Sequence, residues 1–399
     1  MANALDNAFS RTSLEIVWRY EGRRLRKSCF GIDRKSGKKF QENIASEFHQ
    51  IRERIRGNFK PKGLLAIAKP KDTGGNRIIC VPTLADRIVQ FAILNEIRPA
   101  LERRGLLNSI SYGLIRNSNR TVGDARVQSI RFRNAHKWVY KADIEKFFDN
   151  IPRDIIVERS SKIIPQRSLH KLIISFVHTE IEDGFDPDWK KIIEKSGIFS
   201  GKGVRQGMPL SPYFAGLILR DLDKTLEKHG YNAIRYVDDI IAFFDSEEEC
   251  SAFDKFLRDE LDKLSLSIGI IGAKNSKTRV YKPEEAAEFL GMEIAPSQSG
   301  NYELRISDKC LQNIGAKIAG FGSVDALLQK RVTLPRLGGF LDALSSGYLQ
   351  AYKGAANHSE LVHEVSTMKR AALVSAIEEA LGRHFTDLDK KQRRFLGIE

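Results

Sequence analysis

The 399-residue chain is predicted to fold as an α+β protein, with a mixed strand-and-helix centre and a helical C-terminal part. Two observations predict this. Between about 137 and 295, apolar runs of strand length alternate with helical periodicities, and from about 308 only the helical period persists. No internal repeat, low-complexity tract or long linker interrupts the pattern, so its parts must pack closely on one another.

The elements follow in order. Residues 11–60 are strongly basic (Arg19, Arg23, Arg24, Arg26, Lys27, Arg34, Lys35, Lys38, Lys39) and mix helical stretches, one over Phe40–Arg56, with a turn at Gly31–Gly37. A strand at Leu64–Ala68 leads through residues 69–77 to a returning strand at Ile78–Val81. Gly74-Gly75-Asn76 suits the closure of that hairpin, because glycine and asparagine tolerate positive φ. Ala85–Glu96 has helical spacing at Ile88, Phe91, Ala92 and Leu94. Lys137–Ile144 reads as a strand, Arg153–Ile164 and Pro212–Lys228 as helices. Asn232–Tyr236 and Ile240–Phe244 are short strands separated by Val237-Asp238-Asp239. An amphipathic helix, Glu247–Leu264, precedes a strand near Ser267–Ile271. Glu288–Ile294 and Tyr302–Ile306 form a hairpin around Gln298–Asn301, and Glu360–Phe385 is the clearest late helix.

Composition narrows the class. The apolar share of 42% and charged share of 29% are those of a soluble globular protein. No run approaches the roughly 18 apolar residues of a membrane span, and the first residues carry an early acid and no signal-peptide core. A cytoplasmic protein without membrane partners is expected. Cys29, Cys80, Cys250 and Cys310 are scattered, with no CxxC pair, which predicts reduced buried thiols rather than zinc or disulfides. The net charge of +14 attracts polyanions. A solvated basic surface would carry the same charge; without a Lys-rich amphipathic anchor or lipidation signal, nucleic acid is favoured over membrane.

Two acidic segments carry the chemistry. Asp238 and Asp239 stand side by side between apolar strands, where they repel one another. A solvated turn is the ordinary setting of such a pair, but the apolar flanks place this one against neighbouring structure, where a divalent cation would relieve the repulsion. Asp143 ends a strand in which Val139, Lys141 and Asp143 share one face. Two-metal phosphoryl transfer needs carboxylates from at least two segments, held about 4 Å from ion to ion. Asp143 and the 238–239 pair supply them if their strands are neighbours.

The series of motifs resembles that of reverse transcriptases. Tyr236-Val237-Asp238-Asp239 is similar to the family's YxDD box, and Lys141–Asp149 to its first catalytic motif, DxxxFFD. Arg205-Gln206-Gly207-Met208-Pro209-Leu210-Ser211-Pro212 resembles the QGxxxSP segment. Lys69-Pro70-Lys71 with Arg77, Val81-Pro82 and Asp86-Arg87-Ile88-Val89-Gln90 resembles the fingers motif of bacterial members, and Ser111-Tyr112-Gly113 a further one. Lys277-Thr278 and Phe289-Leu290-Gly291 resemble the late palm motifs, so the order holds over roughly residues 30–295.

The resemblance implies a right-hand polymerase. Fingers and an N-terminal extension would span 1–136, a ferredoxin-like palm 137–295 (with a fingers-side insertion near 160–205), and a helical thumb 296–399. It implies RNA-directed DNA synthesis from deoxynucleoside triphosphates with two Mg2+ ions, for which Mn2+ is a substitute. Asp143 and Asp238 would bridge both ions, Asp239 would complete the triad, and the Ile144 carbonyl would help hold the nucleotide metal. Lys69 and Arg77 would grip the triphosphate, with a solvated basic hairpin as the alternative and Lys71 a stand-in for Lys69. Gln206 and Gly207 would lie beside the incoming nucleotide, and Phe148 would clash with a ribose 2′-hydroxyl while Phe147 packs inward. Lys277 resembles the lysine that protonates pyrophosphate, though a surface lysine fits the same basic segment. Phe289, Leu290 and Gly291 would position the primer end, unless they are an ordinary buried strand. Lys390, Lys391, Arg393 and Arg394 could track duplex phosphates, or simply end a solvated helix.

Within the family, the QGxxxSP segment departs from diversity-generating enzymes, and the absence of a VTG tripeptide departs from retrons. The roughly 100 residues after 300 are short for the maturase and DNA-binding regions of group II intron enzymes, and no RNase H acid constellation is left over. A stand-alone bacterial enzyme of the group II lineage, associated with phage defence and a dedicated non-coding RNA, is expected by elimination. A retron-like or intron-derived enzyme, and a non-catalytic RNA-binding effector on a polymerase fold, are the alternatives. A homo-oligomer or an accessory defence protein is compatible with either reading.

Overall fold

The computed structural model describes residues 3–70, 75–104, 108–113, 120–182, 187–382 and 384–395, without the side chains of 187–189, 385, 394 and 395. Contacts divide the chain into two compact units, Met1–Thr121 with Tyr140–Val280 and Val122–Val139 with Tyr281–Glu399.

In the first unit, β1 (Leu65–Pro70) and β2 (Asn76–Val81) pair antiparallel, from Leu65 opposite Val81 to Lys69 opposite Arg77. The expected turn falls on Lys71 to Gly74, outside the described residues; Gly75 follows it at φ 74°. Ala66, Ile78 and Cys80 bury against Leu64 and Met208, fastening the segment before helix Ser211–Lys228 to this hairpin. Burial of the larger of these, Leu64, Ile78 and Met208, stabilises by about 1.5–3 kcal/mol each.

A five-stranded sheet forms the centre. Its strands are β3 (Ser111–Tyr112), β4 (Trp138–Asp143), β5 (Ala233–Tyr236), β6 (Asp239–Phe244) and β7 (Arg279–Tyr281), in the order β3-β5-β6-β4-β7. Helix Ser211–Lys228 is the last of several helices between β4 and β5, and helix Glu247–Asp262 lies between β6 and β7. Four strands and two helices in this sequence and order make the β-α-β-β-α-β arrangement of a ferredoxin-like fold, with β3 added parallel to β5. Phe253 packs against Tyr140, Tyr231 and Phe244 at 5.2, 4.9 and 5.1 Å between ring centroids, and the Tyr140 hydroxyl donates to Asp254 at 2.6 Å.

In the second unit, β8 (Ala287–Phe289), β9 (Met292–Pro296) and β10 (Tyr302–Arg305) form a sheet in the order β10-β9-β8. Helix Val122–Ala135 is held to it by buried Arg133, which donates to the carbonyls of Ile294, Lys282 and Glu285 at 3.1, 3.0 and 2.6 Å. Helices Asp308–Ala319, Leu334–Ala351 and His358–Leu381 complete the unit, and Leu388 folds back onto Ile377 and Leu373. Helix Val122–Ala135 and β8 to β10 cluster with the late helices.

Several expectations need correction. The helix over Phe40–Arg56 is two helices, Gly37–Glu42 and Ile44–Arg56; Asn43 breaks it by turning its side-chain amide to the Lys39 carbonyl. No strand forms at Ser267–Ile271 beyond a single bridge between Ile268 and Ile144, because Arg258 takes the Ile268 and Gly269 carbonyls at 2.9 and 2.6 Å. Glu288–Ile294 is not one strand; Leu290 and Gly291, at φ 50° and 79°, turn it back on itself. The late helix ends at Leu381, where Gly382 adopts a left-handed cap. All four cysteines are free, but Cys29 is exposed and Cys310 half-buried, so burial extends only to Cys80 and Cys250. Among the described residues no helix is long and apolar enough to cross a membrane.

Candidate active site

The β5–β6 hairpin and the end of β4 converge. Tyr236 opposes Asp239 across the two-residue turn Val237–Asp238. The Ile144 amide, one residue beyond Asp143, donates to the Asp238 carbonyl at 3.1 Å. That bond sets two acidic segments, 95 positions apart, side by side (238 − 143).

The electrostatics record this crowding. Burial, then the neighbouring Asp143, push the Asp238 carboxyl up from its ordinary value. Burial pushes Asp239 up to about 6, with Asp143 and Asp238 adding to the rise and Lys141 opposing it. Asp239 Oδ1 is buried and accepts no hydrogen bond among the described residues; Lys141 Nζ lies 4.0 Å away. Lys277 Nζ is 2.8 Å from Asp143 Oδ2, so the lysine and the three acids share one place. Among the described residues no three acid, His or Cys side chains already stand as a coordination cluster. Yet mutually repelling carboxylates with an orphaned buried oxygen are a donor set that suits a hard divalent cation.

This yields a pH prediction. With its folded pKa raised, Asp239 holds a proton to higher pH than the unfolded chain does, so its cost to the metal-free protein grows as pH rises from about 4 through about 6. Asp239→Asn should match the wild type near pH 4 and be more stable by roughly 1–3 kcal/mol at pH 7. Melting both proteins in chelator across that range checks it; parallel curves would contradict the burial of this carboxylate.

Beside the triad-bearing sheet, Phe148 and Gly207 line a cavity of about 870 Å³ with Met208, Tyr20, Arg24 and Phe91. Phe147 is buried, whereas Phe148 is only half-buried. Residues 203–207 thread between two neighbours. The Val204 amide donates to the Phe148 carbonyl at 2.7 Å, and the Cys80 amide to the Gln206 carbonyl at 2.6 Å. Gly207 sits at φ 110°, and any Cβ there would come within 2.5 Å of the Cys80 carbonyl, so its close approach is to β2. Glu180 anchors the preceding loop through Arg153 Nη1 at 2.7 Å, the Gly201 amide at 2.8 Å and Arg205 Nε at 3.1 Å. Burial alone would raise the Glu180 carboxyl, but these donors outweigh it and hold it below its ordinary value.

Lys69 and Arg77 face each other across the hairpin, both exposed and neither with a side-chain partner among the described residues. Like charges in opposition destabilise a strand pair, and Arg77 lowers the Asp238 pKa. In the second unit, the Phe289 side chain is buried, so only the Leu290–Gly291 turn is presented; Arg126 donates to the Leu290 carbonyl at 2.5 Å. Lys390 and Lys391 are exposed and Arg393 half-buried on the short helix Lys390–Phe395; the Arg394 side chain lies outside the described residues.

Asp86, Arg87 and Gln90, placed by the sequence in a motif without a physical role, are buried and tie segments together. Asp86 accepts from Arg54 at 3.1 Å and the Lys62 amide at 2.9 Å, Arg87 donates to the Cys29 carbonyl at 2.8 Å, and Gln90 accepts from the Leu210 amide at 3.2 Å. Asp223 and Arg235 form a fully buried pair. Its signal was available: Arg235 is a charge inside an apolar strand, and Asp223 shares the apolar stripe of Leu219, Leu222 and Leu226.

Residues 67–294 match the family described as reverse transcriptase (RNA-dependent DNA polymerase). The chain belongs to the reverse transcriptase family, and its α+β fold is the right-hand polymerase fold expected of a bacterial member. It is 26% identical over 212 residues to Protein YkfC of Escherichia coli (strain K12), covering 50% of each chain. It is 24% identical over 173 residues to the Putative COX1/OXI3 intron 1 protein of Saccharomyces cerevisiae (strain ATCC 204508 / S288c), covering 43% of this chain and 19% of that one. The chain thus spans half or less of the curated relatives it matches. A chain of a partial Cas6-RT-Cas1–Cas2 complex is 24% identical with a TM-score of 0.36, covering 66% of this chain and 42% of that one. A telomerase from Candida albicans, solved with a fragment of telomeric RNA, is 10% identical with a TM-score of 0.43, covering 86% and 64%.

Proposed function

We propose that the protein is a magnesium-dependent, RNA-templated DNA polymerase that consumes deoxynucleoside triphosphates. The observation that carries this reading is the convergence of Asp143 with Asp238 and Asp239 through the Ile144–Asp238 backbone bond. Asp143, Asp238 and Asp239, with the Ile144 carbonyl, would hold two Mg2+ ions, or Mn2+ in their place; bound there, the ions supply Lewis-acid activation of the primer hydroxyl and neutralise developing phosphate charge. The primer 3′-oxygen attacks the α-phosphate, the bond to pyrophosphate breaks, and Lys277 returns a proton to the leaving group. Lys69 and Arg77, exposed cations facing each other on one hairpin, hold the triphosphate in line, and Gln206 and Gly207 border the nucleotide. Phe148 selects the sugar from the cavity wall.

The template is read here as a dedicated non-coding RNA and the setting as bacterial antiphage defence. Motif content separates the chain from retrons and diversity-generating enzymes, and the match to an intron-encoded protein supports the group II lineage. In this reading Lys390, Lys391, Arg393 and Arg394 track duplex phosphates, and the Leu290–Gly291 turn positions the primer. Purified wild-type protein should then carry one dominant RNA species, identified by sequencing. Replacing the four tail cations with Ala should weaken RNA binding and flatten its log–log salt dependence by about 0.7–0.9 per lost phosphate contact. A random RNA population would refute the dedicated template, and a quadruple variant with wild-type affinity and slope would show that the tail is structural.

A further inference from the structure

The turn that carries Asp238 is not held by its own backbone alone. Val237 sits at φ 61°, a left-handed conformation that a β-branched residue adopts only when its surroundings impose it. The two-residue hairpin turn requires it, and a buried side chain braces the turn from beneath. Arg235, two residues earlier and fully buried, donates through Nη1 to the Val237 carbonyl at 2.8 Å. Its Nε donates to Asp223 Oδ1 at 2.7 Å and its Nη2 to Ser111 Oγ at 3.0 Å. Asp223, also fully buried, accepts on its second oxygen from Asn108 Nδ2 at 3.1 Å, and Asn108 Oδ1 in turn accepts from the Ile110 and Ser111 amides. A neutral contact would hold a turn with fewer demands. A desolvated ion pair is weak evidence for stability, because removing two charges from water offsets their attraction.

We propose that Arg235 is a positioning residue for the reaction, and that with Asp223, Asn108 and Ser111 it fixes the Val237 carbonyl and thereby the direction of Asp238 and Asp239. The guanidinium suits this task because its planar fork reaches three acceptors in fixed directions, which a lysine ammonium does not. One side chain thus links helix Ser211–Lys228, the β3 edge and the acid-bearing turn. The turn cannot swing toward a cation without breaking a buried charge-assisted network, so the acids meet the metal already aimed.

This inference rests on the reading of Asp238 and Asp239 as the metal-binding pair, and the test separates the two. Two variants are used, so that a folding failure in one leaves the other. Arg235→Lys keeps the buried charge opposite Asp223 but loses the fork. The double variant Asp223→Asn with Arg235→Gln removes both charges together, so neither is stranded. Mn2+ binding is measured by calorimetry and by the electron paramagnetic resonance signal of the ion, beside thermal melting and steady-state incorporation. In the folded variants, Mn2+ affinity is expected to fall about tenfold and kcat about 30- to 100-fold, with the nucleotide KM within about twofold, as for a misaimed catalytic group. Wild-type Mn2+ affinity and kcat in either folded variant would overturn the proposal, as would activity lost only in proportion to the folded fraction. If the wild type itself binds no Mn2+ that Asp238→Asn abolishes, the underlying metal assignment fails instead.

Discussion

Asp238→Asn is expected to reduce nucleotide incorporation by at least about 10³-fold while leaving the protein folded and somewhat more stable without metal. The magnitude follows from the role. An amide carries no charge with which to hold a divalent cation, so in the proposed reading the Lewis-acid chemistry that the ions would supply is lost. The sign of the stability change follows from the site. Burial and the adjacent Asp143 already oppose ionisation of Asp238, so removing its charge relieves a cost. Asparagine occupies nearly the same volume, and the Asp238 carbonyl still accepts the Ile144 amide. Thermal melting in chelator and single-turnover incorporation measure the two effects. Polymerase activity retained in this variant would remove Asp238 from the site.

The second large effect concerns the sugar. Phe148→Ala should raise the use of ribonucleotides relative to deoxynucleotides by about 10- to 200-fold, the range available to a steric contact of this size. The overall rate should fall less. Phe148 is suited to this change because it is half-buried on a cavity wall, while Phe147 beside it is buried and supplies the packing. Competition between labelled UTP and dTTP on one primed RNA template gives the ratio. Unchanged discrimination would move the gate, with Phe147 the next position to examine.

How much of this was legible in the sequence depended on the range of the physics. Strand period and turn chemistry placed two strands around Val237-Asp238-Asp239, within one residue of β6 as it forms, because those signals are local. The neighbour relation of Asp143 to Asp238 depends on strand order, β6 beside β4, which no local pattern encodes; the motif series supplied it by resemblance. The misplaced strand near Ser267 shows the same limit. Its residues favour a strand, but Arg258, about ten positions earlier, takes the carbonyls a ladder would need. Asn43 ended a helix through one side-chain hydrogen bond, within a stretch whose apolar spacing continues across the break. The buried charges were the least visible. Arg235 and Asp223 each lie on an apolar face in the sequence, but nothing local pairs them, and Asp86, Arg87 and Gln90 belonged to a recognised motif whose physical role, tying together distant loops, emerged only from their partners. The cations of the β1–β2 hairpin were legible as residues, whereas the pairing that sets Lys69 opposite Arg77 required the fold.

Central to the proposed function is a site for RNA-templated DNA synthesis built from three carboxylates at the end of β4 and in the β5–β6 hairpin. Its most direct test is extension of a labelled DNA primer on a defined RNA template by the purified chain, with all four deoxynucleotides, in Mg2+ and in chelator. Template-complementary product that requires Mg2+, and that disappears in Asp143→Asn and Asp238→Asn proteins of wild-type melting behaviour, is the predicted result. Product that is independent of divalent metal, or that persists when both acids are neutralised, would contradict the account.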